Sequence, residues 1–124
     1  MTRSRGDRRK HPRVESKIPL KVKEENFDVT TVTKNISCNG VLCQIEGYFP
    51  LLSKVKVILL LPSCGKIKVT PVNVEGIVVR SEPVKSSGKS DFRDVAIFFN
   101  KINKKDMLKI SSYINSVLAK KIPY

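Results

Sequence analysis

Two short polar segments carry the side chains of this chain that are best suited to bind an anionic ligand. The first is Arg8-Arg9-Lys10-His11-Pro12-Arg13, an arginine cluster in which the proline favours extended backbone before it. The second is Asn35-Ile36-Ser37-Cys38-Asn39-Gly40, a polar stretch between two strand-like runs. Together they predict a group of guanidinium side chains that faces a polar surface. Such a site suits a compact anionic ligand that also carries nucleobases, whose edges can form hydrogen bonds.

The arginines offer several modes of recognition at once. Arg9 and Arg13 are four residues apart, so on an extended arm their side chains can reach a ligand from different sides. A guanidinium can grip a phosphate through two parallel hydrogen bonds, pair with guanine O6 and N7, or stack on a purine. Arg8 adds a third planar guanidinium group beside them.

The polar stretch offers complementary groups. Asn35 and Ser37 are two residues apart, so on a strand both side chains point to the same face. The amide can bind a base edge, and the hydroxyl can donate to a phosphate or base. Gly40 is expected to permit a positive φ and a close ligand approach. Alternatively, Asn35 and Ser37 only set up a hairpin turn, because this spacing often occurs by chance.

Charge supports an anionic partner. The formal net charge of the 124 residues is +13, which favours nucleic acid, a nucleotide or an anionic membrane. The basic residues near the C-terminus are all lysines, which we interpret as solubilising charge, whereas arginine dominates residues 1–13. No apolar run approaches the roughly 20 residues that span a bilayer, and no secretory signal precedes the basic segment. We therefore expect a cytoplasmic protein without membrane insertion.

Catalytic and metal chemistry have little support in the sequence. The three cysteines lack the C-x-x-C spacing of zinc sites, and His11 is the single histidine. Cys43 and Cys64 lie in or beside apolar runs and are expected in the core. We expect no enzyme activity, no metal site and no cofactor.

The elements that position these residues follow from hydrophobic periodicity. Residues 1–17 are polar and basic and predict a flexible arm, whereas residues 18–124 form one domain. Period-two alternation and turn residues predict six strands. These are Ile18–Lys23, Val29–Ile36, Val41–Ile45, Val55–Leu61, a long strand Lys66–Arg80 interrupted near Pro71, and Phe92–Phe99, a run assigned to the core.

The period changes to that of a helix near the C-terminus. Asn103 is a suitable N-cap, and Met107, Ile110 and Ile114 recur on one face of a helix ending near Lys120. This apolar stripe is expected to pack on the sheet rather than on a membrane. The fold class is therefore all-β with one helix: a six-stranded antiparallel β-barrel with a basic N-terminal arm and a C-terminal α-helix.

The two segments together resemble a known family. The pattern R-x-x-x-R (Arg9, Arg13), followed by [D/N]-x-S-x-x-G (Asn35, Ser37, Gly40), resembles the PilZ domain family of bacterial cyclic di-GMP receptors. The likeness covers most of the chain and includes the last strand leading into the terminal helix.

The resemblance implies a split barrel with a trailing helix that binds cyclic di-GMP without turnover. Asn35 stands where Asp is common in the family, and a neutral amide would bind guanine N–H groups less strongly. Arg80 could stack on an exposed base but is left out of the expected site. The ligand-binding residues that the resemblance implies are Arg8, Arg9, Arg13, Asn35, Ser37 and Gly40.

Three functions stay open. The first is a receptor whose arm closes on cyclic di-GMP and signals to an unidentified downstream protein, with motility, biofilm or virulence as typical outputs. The second is a nucleic-acid-binding barrel. It is disfavoured by an aromatic content of 6% without Trp, so no DNA partner is expected. The third is a PilZ-like adaptor that binds no nucleotide.

Overall fold

Alternating apolar residues fold this chain into strands whose inner faces share one core. The computed structural model describes residues 13–25, 27–62, 69–84 and 92–120. The elements of this described part are β1 (Val14–Glu15), β2 (Pro19–Glu24), β3 (Phe27–Ser37), β4 (Gly40–Glu46), β5 (Lys54–Pro62), β6 (Val69–Pro83), β7 (Phe92–Lys101) and α1 (Lys104–Lys120).

Six antiparallel strands close into a barrel. The order runs β3-β2-β5-β6-β7-β4, and β4 pairs back to β3 to complete the circle. β1 and β2 lie one after the other along one edge of β3, and β4 takes the other edge. The predicted six-stranded barrel with a C-terminal helix is confirmed.

The barrel interior is filled by the residues that the period-two pattern places inward. Ile18, Leu20 and Val22 are buried on β2 and just before it, and Val57 and Leu59 face them from β5. Cys43 is also buried, as predicted, whereas Cys64 lies outside the described residues.

The described part of the predicted arm contains the short strand β1. Val14 and Glu15 pair with Ile36 and Asn35 of β3, and Val14 is buried in the core. The described end of the predicted arm thus includes a short strand that is stabilised by the burial of Val14, and the flexibility predicted for residues 1–17 stays a prediction. Residues 1–12 lie outside the described residues.

The predicted interruption near Pro71 is also wrong. β6 continues through Pro71, which is paired with Leu60 of β5. The ladder between β6 and β7 begins only at Glu75, so among the described strands Pro71 has β5 as its single neighbour. A proline lacks the N–H donor but is tolerated where a strand has such a free edge.

Helix α1 closes over the barrel as the periodicity indicates. The Asn103 side-chain oxygen accepts a hydrogen bond from the Asp106 N–H at 2.7 Å, so Asn103 is the N-cap. Ile110 and Ile114 are buried against the strands, and Met107 packs at their edge, which confirms the predicted apolar face. No helix within the described residues has the length and apolar character needed to cross a membrane.

Thr33 is a buried polar residue that provides a direct test of the packing between β3 and the segment before β2. Its side-chain oxygen accepts the Ile18 N–H at 2.9 Å and donates to the Ser16 carbonyl. We expect Thr33→Val to lower the free energy of unfolding by about 1–3 kcal/mol, because both backbone groups lose their partner. Urea unfolding measures this, with Thr30→Val at an exposed position of β3 as the control. Equal stability of the two variants would contradict the assignment.

Candidate functional site

The predicted ligand-binding residues that the structure describes line one pocket on the outer wall of the barrel. The pocket has a volume of about 490 Å³, within the range of roughly 300–1,000 Å³ typical of small-molecule sites. β3, β4, β6 and β7 supply its walls. Its lining comprises Arg13, Asn35, Ser37, Asn39, Gly40, Val41, Leu42, Val79, Arg80, Ala96, Ile97 and Phe98.

Arg13 reaches this pocket because of the short ladder between β1 and β3. Val14 lies opposite Ile36, and Glu15 lies opposite Asn35. Continuing this antiparallel register by one residue places Arg13 opposite Ser37. The ladder therefore brings the last arginine of the first segment against the second segment, although Arg13 and Ser37 are 24 positions apart in the sequence.

A β-bulge in β3 decides the direction of Asn35 and Ser37. Thr33 pairs with Cys43 and Asn35 pairs with Leu42, so Lys34 is the extra residue between them. Thr33 faces the core, and in a regular strand Asn35 and Ser37 would face it too. The extra residue reverses the alternation, so that both side chains line the pocket.

Ser37 also has a structural task. Its side-chain oxygen accepts the Asn39 N–H at 3.1 Å, which shapes the turn between β3 and β4. Ser37 therefore has the turn-forming role that the alternative interpretation gives it, which does not exclude a second role in the pocket. Accepting this bond leaves the hydroxyl hydrogen of Ser37 to donate into the pocket.

Gly40 is needed for a reason different from the one expected. It is the first residue of β4, and Gly47 is the described glycine that has a positive φ. A Cβ atom on Gly40 would collide with the backbone carbonyl oxygen of Ile97 on β7. Gly40 therefore permits close contact between two strands, and the expected positive φ at this position is wrong.

Arg80 joins the pocket through a second β-bulge. Val78 pairs with Ile97 and Arg80 pairs with Ala96, so Val79 is the extra residue of β6. Val79 and Arg80 are consequently both exposed at the pocket. The Arg80 Nε lies 3.8 Å from the Glu82 carboxylate in a solvent-exposed pair that costs little to break.

Phe98 is a pocket residue that the sequence interpretation missed. Its side chain is 46% exposed, whereas the neighbouring Phe99 is 5% exposed. The prediction that Phe98 lies in the core is wrong. The side chains of β7 alternate between the two faces of the sheet, so that of these two phenylalanines Phe99 points inward and Phe98 points outward. The signal was obscured by the continuous apolar run Val95–Phe99, in which both faces of the strand are apolar.

The charge of the pocket is positive. Among the described residues, Arg13 and Arg80 are the ionisable members of its lining, and none of the lining residues carries a carboxylate. The remaining polar groups are the neutral side chains of Asn35, Ser37 and Asn39. Such a surface favours an anion that also offers hydrogen-bonding edges and apolar faces.

Nearby thiols do not supply a nucleophile. Burial, with a smaller contribution from Asp94, raises the pKa of the Cys43 thiol to about 12. Burial also raises the pKa of Cys38, although a hydrogen bond with Ser111 opposes this. Both thiols stay protonated at neutral pH. In the described part of the chain, no three His, Cys, Asp or Glu side chains are grouped as a metal site requires.

Comparison with known proteins identifies the family. The sequence model of the PilZ domain matches residues 7–116. The chain belongs to the PilZ domain family. Of the arginine-rich segment from Arg8 to Arg13, the structure describes Arg13, and Arg8 and Arg9 lie outside the described residues. No curated protein is similar enough to count as a match.

Solved PilZ-domain proteins share the fold. The inhibitor of motility MotI/DgrA of Bacillus subtilis superimposes with a TM-score of 0.77 at 19% identity, covering 92% of this chain and 53% of that chain. The MrkH–c-di-GMP complex of K. pneumonia gives 0.71 at 14% identity, covering 91% and 53%. The PilZ domain of YcgR from Escherichia coli with c-di-GMP gives 0.62 at 12%, covering 93% and 99%. This chain thus spans about half the length of MotI/DgrA and MrkH.

The close approach at Gly40 generates a test. We expect Gly40→Ala to lower the free energy of unfolding by about 1–3 kcal/mol, because a backbone carbonyl cannot move aside as a side chain can. Gln44→Ala on the same strand is the control and should cost less. Urea unfolding of both variants checks this. A Gly40→Ala variant as stable as the wild type would refute the packing role.

Proposed function

We propose that this chain is a non-catalytic receptor that binds cyclic di-GMP in the pocket between β3, β4, β6 and β7. The observation that carries the proposal is the meeting of Arg13, Asn35, Ser37 and Arg80 around one cavity, to which the described residues contribute no carboxylate. Cyclic di-GMP combines two phosphates with two guanines, and this lining offers a partner for each kind of group.

The roles follow from the donors and acceptors of each side chain. Arg13 and Arg80 present planar forks that match a phosphate or the O6 and N7 atoms of guanine. The Asn35 amide can both donate to and accept from a guanine edge, and the Ser37 hydroxyl donates to a phosphate. Arg8 and Arg9 are proposed to join them, on the strength of the R-x-x-x-R pattern alone.

Phe98 and Val79 add an apolar surface to the same pocket. Both side chains are about half exposed, at 46% and 50%. A guanine stacked on the Phe98 ring would cover it and exclude water from the neighbouring phosphate contacts. The proposed site therefore recognises a nucleotide rather than a bare anion.

Two of the solved neighbours bind this ligand. The MrkH and YcgR structures were determined with c-di-GMP bound, and both share the PilZ fold with this chain. The identities of 14% and 12% carry the fold only, so the ligand itself rests on the pocket chemistry and the sequence pattern.

We further propose that ligand binding changes the arm and that a separate protein reads the result. Neutralising the many arginines of residues 1–13 removes their mutual repulsion, which would favour a closed arm. MotI/DgrA is an inhibitor of motility, so motility is one candidate output. A cytoplasmic location belongs to the same proposal.

A second candidate, nucleic-acid binding, has one observation in its favour. Lys23, Lys56 and Lys101 line a separate groove of about 780 Å³ on β2, β5 and β7. Lys23 lies directly opposite Lys56, and a bound anion would reduce the repulsion between their two positive charges. Glu75 lies between Lys56 and Lys101 and interrupts the row, which disfavours a continuous phosphate backbone.

Calorimetric titration distinguishes these functions. The chain is titrated at about 150 mM salt with cyclic di-GMP, cyclic di-AMP, GTP and a short oligonucleotide. We expect selective binding of cyclic di-GMP, and a loss of at least about 2 kcal/mol, or roughly 30-fold, in Arg13→Ala, since it removes a charge-assisted contact. Lys56→Ala, which removes a cation from the separate groove, is the control and should bind normally.

The alternative outcomes are informative. Equal affinity for the oligonucleotide, lowered by Lys56→Ala and not by Arg13→Ala, would establish the nucleic-acid function instead. Failure to bind any nucleotide would favour an adaptor that acts through protein contacts alone.

A second titration tests the stacking role of Phe98. We expect Phe98→Ala to weaken cyclic di-GMP binding by about 1–3 kcal/mol, whereas Phe98→Tyr retains affinity because the ring remains. Leu52→Ala is a matched control, since Leu52 is 73% exposed but lies outside the pocket. Unchanged affinity in Phe98→Ala would remove Phe98 from the site.

A further inference from the structure

Helix α1 is hydrogen-bonded to the segment that carries Arg13. The Tyr113 hydroxyl and the Ser16 hydroxyl form a partly buried hydrogen bond between residues 97 positions apart in sequence. Ser16 is three residues after Arg13. Among the described residues before Ser16, regular pairing is limited to the two-residue strand β1, which is short for a strand that must fix its neighbours.

Ser16 is fixed from two directions. Its backbone carbonyl accepts from the Thr33 side chain, while its own side chain meets Tyr113. Thr33 also donates its N–H to the Ile18 carbonyl at 2.9 Å, so β3 fixes the backbone on both sides of Lys17. Thr33 directly precedes the bulge that orients Asn35 and Ser37.

The same helix also contacts the second ligand-binding segment. The Ser111 side chain lies close enough to the Cys38 thiol to oppose the rise in its pKa that burial causes, and Cys38 follows Ser37 in the turn. Ser111 and Tyr113 thus connect α1 to both parts of the pocket, although the lining formed by the described residues includes none from α1.

We propose that Tyr113 is a positioning residue of the cyclic di-GMP site, whose hydroxyl holds Ser16 and, through it, Arg13 against Asn35 and Ser37. This inference rests on the proposed function. Fixing the backbone of a residue before the ligand arrives removes the conformational entropy cost of ordering that residue from the binding step. A looser segment would leave Arg13 to be ordered by the ligand.

Removing the hydroxyl isolates this effect from packing. The Tyr113 ring packs at the edge of the hydrophobic core, and phenylalanine retains that ring. One neutral hydrogen bond contributes about 0.5–1.5 kcal/mol. We therefore expect Tyr113→Phe to weaken cyclic di-GMP binding by about three- to tenfold, and Ser16→Ala to do the same.

A double-mutant cycle with Arg13 separates positioning from a general structural role. If Tyr113 acts through Arg13, Tyr113→Phe loses its effect on affinity in an Arg13→Ala background. Calorimetry on the full chain measures the four affinities, with Tyr48→Phe as the matched control because Tyr48 is 59% exposed and lies outside the pocket.

Amide hydrogen exchange gives a readout that needs no ligand. We expect Tyr113→Phe to speed exchange in residues 14–18 by about three- to tenfold while leaving β7 unchanged. Wild-type affinity in Tyr113→Phe, or an undiminished effect in the Arg13→Ala background, would overturn the inference. If the wild-type chain bound no cyclic di-GMP, the proposed function would fail, and this role of Tyr113 would fail with it.

Discussion

The β-bulge at Lys34 is the feature on which the pocket depends. Side chains alternate strictly along a strand, so a residue two positions after a buried one is also buried. Thr33 must face inward to hold the segment before β2, while Asn35 and Ser37 must face outward to meet Arg13. One extra residue in β3 satisfies both requirements. The bulge at Val79 does the same for Arg80, so two local irregularities on separate strands create one recognition surface.

Much of the fold could be predicted because its strands and helix have simple periods. Ile18, Leu20 and Val22 alternate cleanly, and the spacing of Ile110 and Ile114 with the Asn103 cap defines α1. The bulges were not predictable, because a single extra residue leaves no mark in composition and depends on pairing with distant strands. Phe98 was misassigned for a related reason: in a uniformly apolar run, the outward face has no polar residues to reveal it.

The two polar segments predicted only some of the residues that line the pocket. Arg13, Asn35 and Ser37 are brought together as their spacing suggested, whereas Gly40 serves strand contact rather than a special turn conformation. The pocket also contains Val79 and Phe98, which belong to no motif. In the proposed function, recognition of a nucleotide rather than of phosphate alone depends on these apolar side chains beside the arginines.

Mapping of backbone amide shifts during titration with cyclic di-GMP tests the central claim most directly. Our account predicts that the largest changes occur at Arg13, at Asn35 to Gly40, at Val79 and Arg80, and at Ala96 to Phe98. Changes confined to the groove of Lys23, Lys56 and Lys101, or no changes with the messenger in large excess, would contradict it.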